Sequence, residues 1–129
     1  MVNVSVKPDC GNAPKKLFLR DYYVALANHD LNIVLESVAD EVHWDRVGKQ
    51  NIKGKAEFER VLEELWDRNL EAVTIDNIIT HGNVASVNGT LTEVQGPTYG
   101  FCDVYAFTSF AKNANIKTIT SYLIEQGER

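Results

Sequence analysis

The sequence predicts an α+β domain in which helices from the N-terminal half cover one face of a curved, mostly antiparallel sheet, and three observations predict it. Before Asn69, apolar residues recur three times with the 3.6-residue period of a buried helix face. Beyond Asn69 the chain is rich in Val, Ile, Thr and aromatic residues, divided by short turn-forming clusters. A chain of 129 residues holds material for one hydrophobic core and too little for two.

Residues 1–11 contain Pro8 and Gly11 and show no sustained period, so an extended arm is expected, followed by one domain over residues 12–129. Asn12 is placed to cap a first helix, and Pro14 falls in its first turn, where a missing N–H costs nothing. Phe18, Tyr22 and Leu26, with Leu19 and Ala25 beside them, form one stripe over Pro14–Ala27. Asn28, His29 and Asp30 break the pattern. Asp30 then precedes a short second helix whose Leu31, Val34, Leu35 and Val38 repeat at i, i+3, i+4, i+7. From Glu41 to Val47 the period changes to two, which predicts a strand, and Gly48 to Gly54 reads as a turn-rich link. Phe58, Val61, Leu62, Leu65 and Trp66 mark a third helix over residues 55–68, with Glu57 and Glu59 in the first turn, where the helix dipole favours them. Four antiparallel strands follow, over residues 73–81, 84–94, 99–110 and 116–125. Gly82-Asn83, Gly96-Pro97 and Asn113-Ala114-Asn115 separate them as hairpin turns.

Composition narrows the function. Thirteen Lys and Arg against eighteen Asp and Glu give a net charge of -5, and the basic residues do not cluster, which argues against nucleic acid as a partner. The longest apolar run, Tyr22 to Ala27, is far short of the roughly 20 residues that span a bilayer, and the N-terminus lacks the apolar stretch of a signal peptide. No membrane partner and a cytoplasmic location are therefore expected. Cys10 and Cys102 read as free thiols, and His29, His43 and His81 stand too far apart for a two-ligand helical motif. Neither a metal nor a cofactor is expected.

Two stretches carry a family resemblance: Asp30 to Gly54, DLNIVLESVADEVHWDRVGKQNIKG, and Cys102 to Glu125, CDVYAFTSFAKNANIKTITSYLIE. They resemble the nuclear transport factor 2-like superfamily, especially its SnoaL-like branch, and are more distantly similar to ketosteroid isomerases. The resemblance implies a sheet curled into a cone around a pocket. Strand alternation then turns Val42, Trp44 and Arg46 inward on one strand, Phe101, Asp103, Tyr105 and Phe107 on a second, and Ile119, Ser121 and Leu123 on the last. Tyr22 and Trp66 approach from helices. The candidate ligand contacts are Trp44, Trp66, Phe101, Tyr105 and Ser121, and the candidate catalytic residues are Asp103, Tyr22 and Arg46.

Similarity to ketosteroid isomerase puts Tyr22 at the place of that family's oxyanion-hole tyrosine and Asp103 at or near its hydrogen-bonding carboxylic acid. Arg46 stands where the isomerase has its proton-shuttling aspartate, and arginine cannot act as a base near neutral pH. Asp45 is adjacent, but on a regular strand it points the other way. An arginine within reach would hold Asp103 as a carboxylate, whereas isolation among Phe101 and Tyr105 would favour the neutral acid. Such an aspartate–arginine pair would resemble the limonene epoxide hydrolase branch, where a carboxylate activates water.

Three functions follow. The first is a noncatalytic domain binding a small hydrophobic molecule whose polar or anionic end meets Arg46. The second is an isomerase, dehydratase, cyclase or hydrolase acting on a small hydrophobic substrate, with Asp103 as acid or base. The third is a protein-interaction module using the sheet face. The missing base favours the first and third. A homodimer is expected through the outer sheet face, where Thr118, Thr120, Tyr122 and Ile124 share one parity beside Val104 and Ala106.

Overall fold

A computed structural model gives the structure over residues 2–6, 13–111 and 114–126. Within the expected arm, β1 (Asn3–Val6) is a short edge strand. Helix α1 (Pro14–Ala27) starts on its proline; Ala13 holds the N-cap position without a side-chain bond, and Asn12, the expected cap, lies outside the described residues, as does Cys10. Leu19, Tyr22, Tyr23 and Ala25 are buried on α1. The buried stripe is thus wider than the spacing of Phe18, Tyr22 and Leu26 suggests, because Tyr23 stands one turn beyond Leu19.

Asp30 caps α2 (Leu31–Ser37), its side chain accepting from the Ile33 N–H at 3.4 Å. The helix stops one residue before the end of its apolar repeat. Val38 is fully buried, has an extended backbone and pairs with Ile116, so sheet pairing outweighs helical spacing for this β-branched residue. Strand β2 (Val38–Arg46) therefore begins earlier than the alternation indicates.

The link over residues 48–54 corrects the sequence reading: Gln50–Lys53 forms β3, antiparallel to β2, with Ile52 opposite Trp44 and fully buried. Turn chemistry is confined to its ends, Gly48 at φ 80° and Gly54 at φ 88°. Gly54 uses that left-handed backbone to pass from β3 into α3 (Lys55–Trp66), its carbonyl accepting from the Phe58 N–H at 3.0 Å. Helix α3 ends two residues sooner than predicted. Asp67 and Arg68 donate to carbonyls three residues back, which tightens the last turn and releases Arg68 from the helix.

The four long strands are β4 (Leu70–His81), β5 (Val84–Glu93), β6 (Thr98–Phe107) and β7 (Ile116–Glu125), paired antiparallel in sequence order. Phe110, expected inside the third of them, lies beyond β6 and is exposed. Of the last expected turn, Asn113 lies outside the described residues. The seven strands run β1-β4-β5-β6-β7-β2-β3, with β1 parallel to β4 and β2 parallel to β7. Opposite Gly89 the β4–β5 register shifts between Ile75 and Asn77. A Cβ on Gly89 would stand 1.8 Å from the Thr74 carbonyl oxygen, so glycine lets the two backbones cross closely there. The sheet is curved and open, mostly antiparallel, and the three helices complete an α+β cone. α1 packs on β4 and α3 on β2, burying Leu19, Phe58, Ile75, Tyr105 and Ile116 in one core. Among the described residues no helix is long and apolar enough to cross a membrane.

Candidate functional site

Strand period and sheet register together build the site. Asp103 on β6 is opposite Ser121 on β7, and Ser121 is opposite Arg46 on β2, so the three form a row across the sheet. Phe101 and Tyr105 flank Asp103 on the same face and are buried. From the helix side, the Tyr23 hydroxyl reaches Asp103 Oδ2 at 2.5 Å and the Tyr105 hydroxyl at 2.5 Å. From the β2 side, the Trp44 Nε1–H donates to Ser121 Oγ at 2.9 Å, and Ser121 is hydrogen-bonded to Asp103.

Donor counting gives these bonds a direction. An indole N–H can only donate, so Ser121 accepts from Trp44 and turns its single hydrogen to Asp103. Tyr23 spends its one hydrogen on Asp103, so it accepts from Tyr105. Two donor chains, Tyr105 to Tyr23 and Trp44 to Ser121, converge on one carboxyl.

Burial pushes the Asp103 pKa above the usual carboxylate value, while the hydrogen bonds from Ser121 and Tyr23 pull against that shift. The neighbouring hydroxyls respond in kind. Burial, reinforced by the nearby Asp103 charge, pushes the pKa values of Tyr22, Tyr23 and Tyr105 well up, so all three are neutral hydrogen-bonding groups at any physiological pH. Tyr22 packs edge-on against Tyr23 and Tyr105 and takes no hydrogen bond among the described residues.

These groups line a cavity of about 210 Å³. Its walls are mainly apolar and aromatic, with Leu62, Leu65 and Trp66 from α3, and Val73, Leu91 and Phe101 from the sheet. Every sequence-predicted site residue borders it: Tyr22, Trp44, Arg46, Trp66, Phe101, Asp103, Tyr105 and Ser121. Among the described residues no cluster of His, Cys, Asp or Glu is arranged to hold a metal.

Arg46 and Asp103 share the cavity but do not pair. With Ser121 between them, two interstrand steps, roughly 10 Å, separate their backbones. The Arg46 guanidinium instead donates to Gln50 Oε1 at 2.6 Å and lies over the Trp44 ring, 5.7 Å from its centroid. Burial and the charge of Arg68 lower its pKa. Asp103 thus sits among aromatic rings, hydrogen-bonded to Tyr23 and Ser121, and without the arginine partner. Sequence reasoning missed Tyr23, although the spacing of Leu19, Tyr22, Tyr23 and Leu26 carries the signal. It also missed Arg68, which the sequence reading places in the last turn of α3.

Comparison with known proteins agrees with this architecture. An NTF2-like protein of unknown function from Cytophaga hutchinsonii is 26% identical, with a TM-score of 0.66 over 84% of this chain and 97% of that one. An LEH-like epoxide hydrolase from M. tuberculosis is 21% identical, with a TM-score of 0.67 over 82% of this chain and 79% of that one. A candidate ketosteroid isomerase from Kribbella flavida is 16% identical, with a TM-score of 0.75 over 90% and 82%. The last two likenesses concern the fold alone. No curated protein sequence gives a significant match. The family model of the SnoaL-like domain matches residues 19–116, most of the cone and its cavity wall, and the chain belongs to that family.

Proposed function

We propose that the domain binds a small, mainly apolar molecule in its cavity and orients it through one polar group at Asp103. The observation that supports this is the convergence of two donor chains on a carboxyl in an otherwise apolar chamber. A binding pocket is expected to be largely hydrophobic with a few fixed polar groups, and this one has that makeup. Its volume lies below the roughly 300–1,000 Å³ typical of drug-sized sites, which limits the occupant to a small molecule. When Asp103 holds a proton, Tyr23 and Ser121 still donate to it, so its own O–H is directed at the ligand and meets a carbonyl or hydroxyl oxygen there. Native mass spectrometry of protein purified without added ligand tests this reading. A retained small molecule that Asp103→Asn weakens is the expected result. Empty protein, with no response of Trp44 and Trp66 fluorescence to apolar ketones or alcohols, would contradict it.

A second reading is catalysis on such a molecule, with Asp103 as the proton donor or acceptor and Tyr22 as a hydrogen-bond donor. The raised Asp103 pKa favours it, because a carboxyl poised nearer neutrality transfers protons more effectively. Turnover lost in Asp103→Asn with binding retained would distinguish this from binding alone. The outer sheet face is a separate surface, and we assign it to a homodimer contact.

A further inference from the structure

Basic side chains gather at the rim of the cavity, away from Asp103. Arg46 at the end of β2, Lys49 in the β2–β3 turn and Arg68 in the α3–β4 connection all border the cavity, and Glu93 at the end of β5 is the acidic residue among them. Three cations against Glu93 at the rim, with Asp103 the other carboxyl on the cavity wall, give a local excess of positive groups in a chain of net charge -5. Glu93 leans on Arg68, with Nη1 to Oε2 at 3.6 Å. Among the described residues Arg46 has no carboxylate partner, and its hydrogen bond goes to the neutral amide oxygen of Gln50. The Arg46 and Arg68 guanidiniums are near enough to repel each other, and that repulsion helps lower the Arg46 pKa. Two guanidiniums bordering one apolar chamber, with Glu93 paired to Arg68 and no carboxylate on Arg46 among the described residues, leave an excess of positive charge at the rim, which a bound anion would complete.

We infer that Arg46 and Arg68 form an anion clamp at the cavity mouth, and that the ligand is an amphipathic carboxylate whose apolar body fills the chamber while its carboxylate sits between the two guanidiniums. This deepens the binding reading above and rests on it. The planar guanidinium fork matches a carboxylate, and partial desolvation at the rim strengthens such charge-assisted bonds. Glu93 selects among anions: its fixed negative charge beside Arg68 penalises a dianionic phosphate more than a singly charged carboxylate. The indole of Trp44, under Arg46, supplies an apolar floor on which the first carbons behind the carboxylate can rest.

The experiment titrates the protein with octanoate and with octanamide, the same chain with a neutral head, and reads both Trp44 and Trp66 fluorescence and calorimetric heat. Octanoate is expected to bind at least about tenfold more tightly, the lower end for one charge-assisted contact, and to weaken as salt is raised. Arg46→Met with Arg68→Met should abolish the preference, bringing the octanoate and octanamide affinities of that variant to within about twofold of each other; circular dichroism checks that it is folded. Arg46→Lys with Arg68→Lys should keep part of the preference, because charge remains while the fork is lost. Equal affinity of the wild-type protein for the two probes would overturn the clamp and leave the binding cavity standing. If neither probe binds, the clamp and the cavity reading both fall.

Discussion

At the scale of single residues, the behaviour of Asp103 follows from its surroundings. Its pKa is raised on folding, so the folded state keeps the proton to higher pH than the unfolded chain does. The stability linked to this group is complete below the unfolded carboxyl value of about 4 and is lost as pH rises through the folded value. Asp103→Asn removes that titration. Urea denaturation of both proteins should therefore show wild type losing stability relative to the variant as pH rises from about 4 towards neutrality; a difference that grew in favour of wild type would mean a cation holds Asp103 as a carboxylate. Tyr23→Phe acts on the same group from the helix. It deletes a donor to Asp103 and leaves the Tyr105 hydroxyl without its acceptor, at a cost of about 1–3 kcal/mol. It should also raise the Asp103 pKa further, which a carboxyl NMR titration would read directly.

Elements place these side chains, and some of them do so through a single residue. Gly89 is the clearest case, because the Thr74 carbonyl of β4 occupies the space that a Cβ there would need. In Gly89→Ala the methyl group would overlap the Thr74 carbonyl, and one strand must move by more than a soft side chain could absorb. A loss of about 3 kcal/mol or more is expected in chemical denaturation. Since β4 and β5 contribute Val73 and Leu91 to the cavity wall, ligand binding should weaken as well. Helix α3 shows the opposite economy. Its early stop at Trp66 keeps the indole on the cavity and sends Arg68 to the rim, so one tightened turn serves both the apolar wall and the charged mouth.

For the molecule as a whole, the unbalanced surface is the outer face of the sheet. Strand register brings Ile79, Val84, Val104, Tyr122 and Ile124 to that face on four adjacent strands. Ile79 and Ile124 are 61% and 70% exposed, which leaves large apolar side chains in water on a surface wide enough for a partner. Sedimentation at tens of micromolar protein, a rough choice well above a typical specific dissociation constant, should show a dimer. Val104→Glu with Ile124→Glu should make it monomeric with its circular dichroism unchanged; a wild-type monomer at that concentration would dispose of the assignment.

What the sequence by itself determined was everything governed by period and local chemistry. The helical spacing of Leu19, Tyr22 and Leu26, the cap at Asp30, and the alternation that sets Phe101, Asp103 and Tyr105 on one face are short-range properties; they delivered the helix and strand faces, and with the family resemblance that implied the cone they put every candidate site residue on the cavity wall. The same alternation put Arg46 and Asp103 inside together. Only the tertiary structure decided whether they touch, because that depends on the order of strands: β7 lies between β6 and β2, so Ser121 separates them and each finds a different partner. Val38 left its helix and Gln50–Lys53 became a strand for a related reason, since both are stabilised by pairing with chain that is distant or folded back. Period reports which face a side chain takes, whereas the neighbour it meets there is set by register between strands, and that information is held by no single segment of the chain.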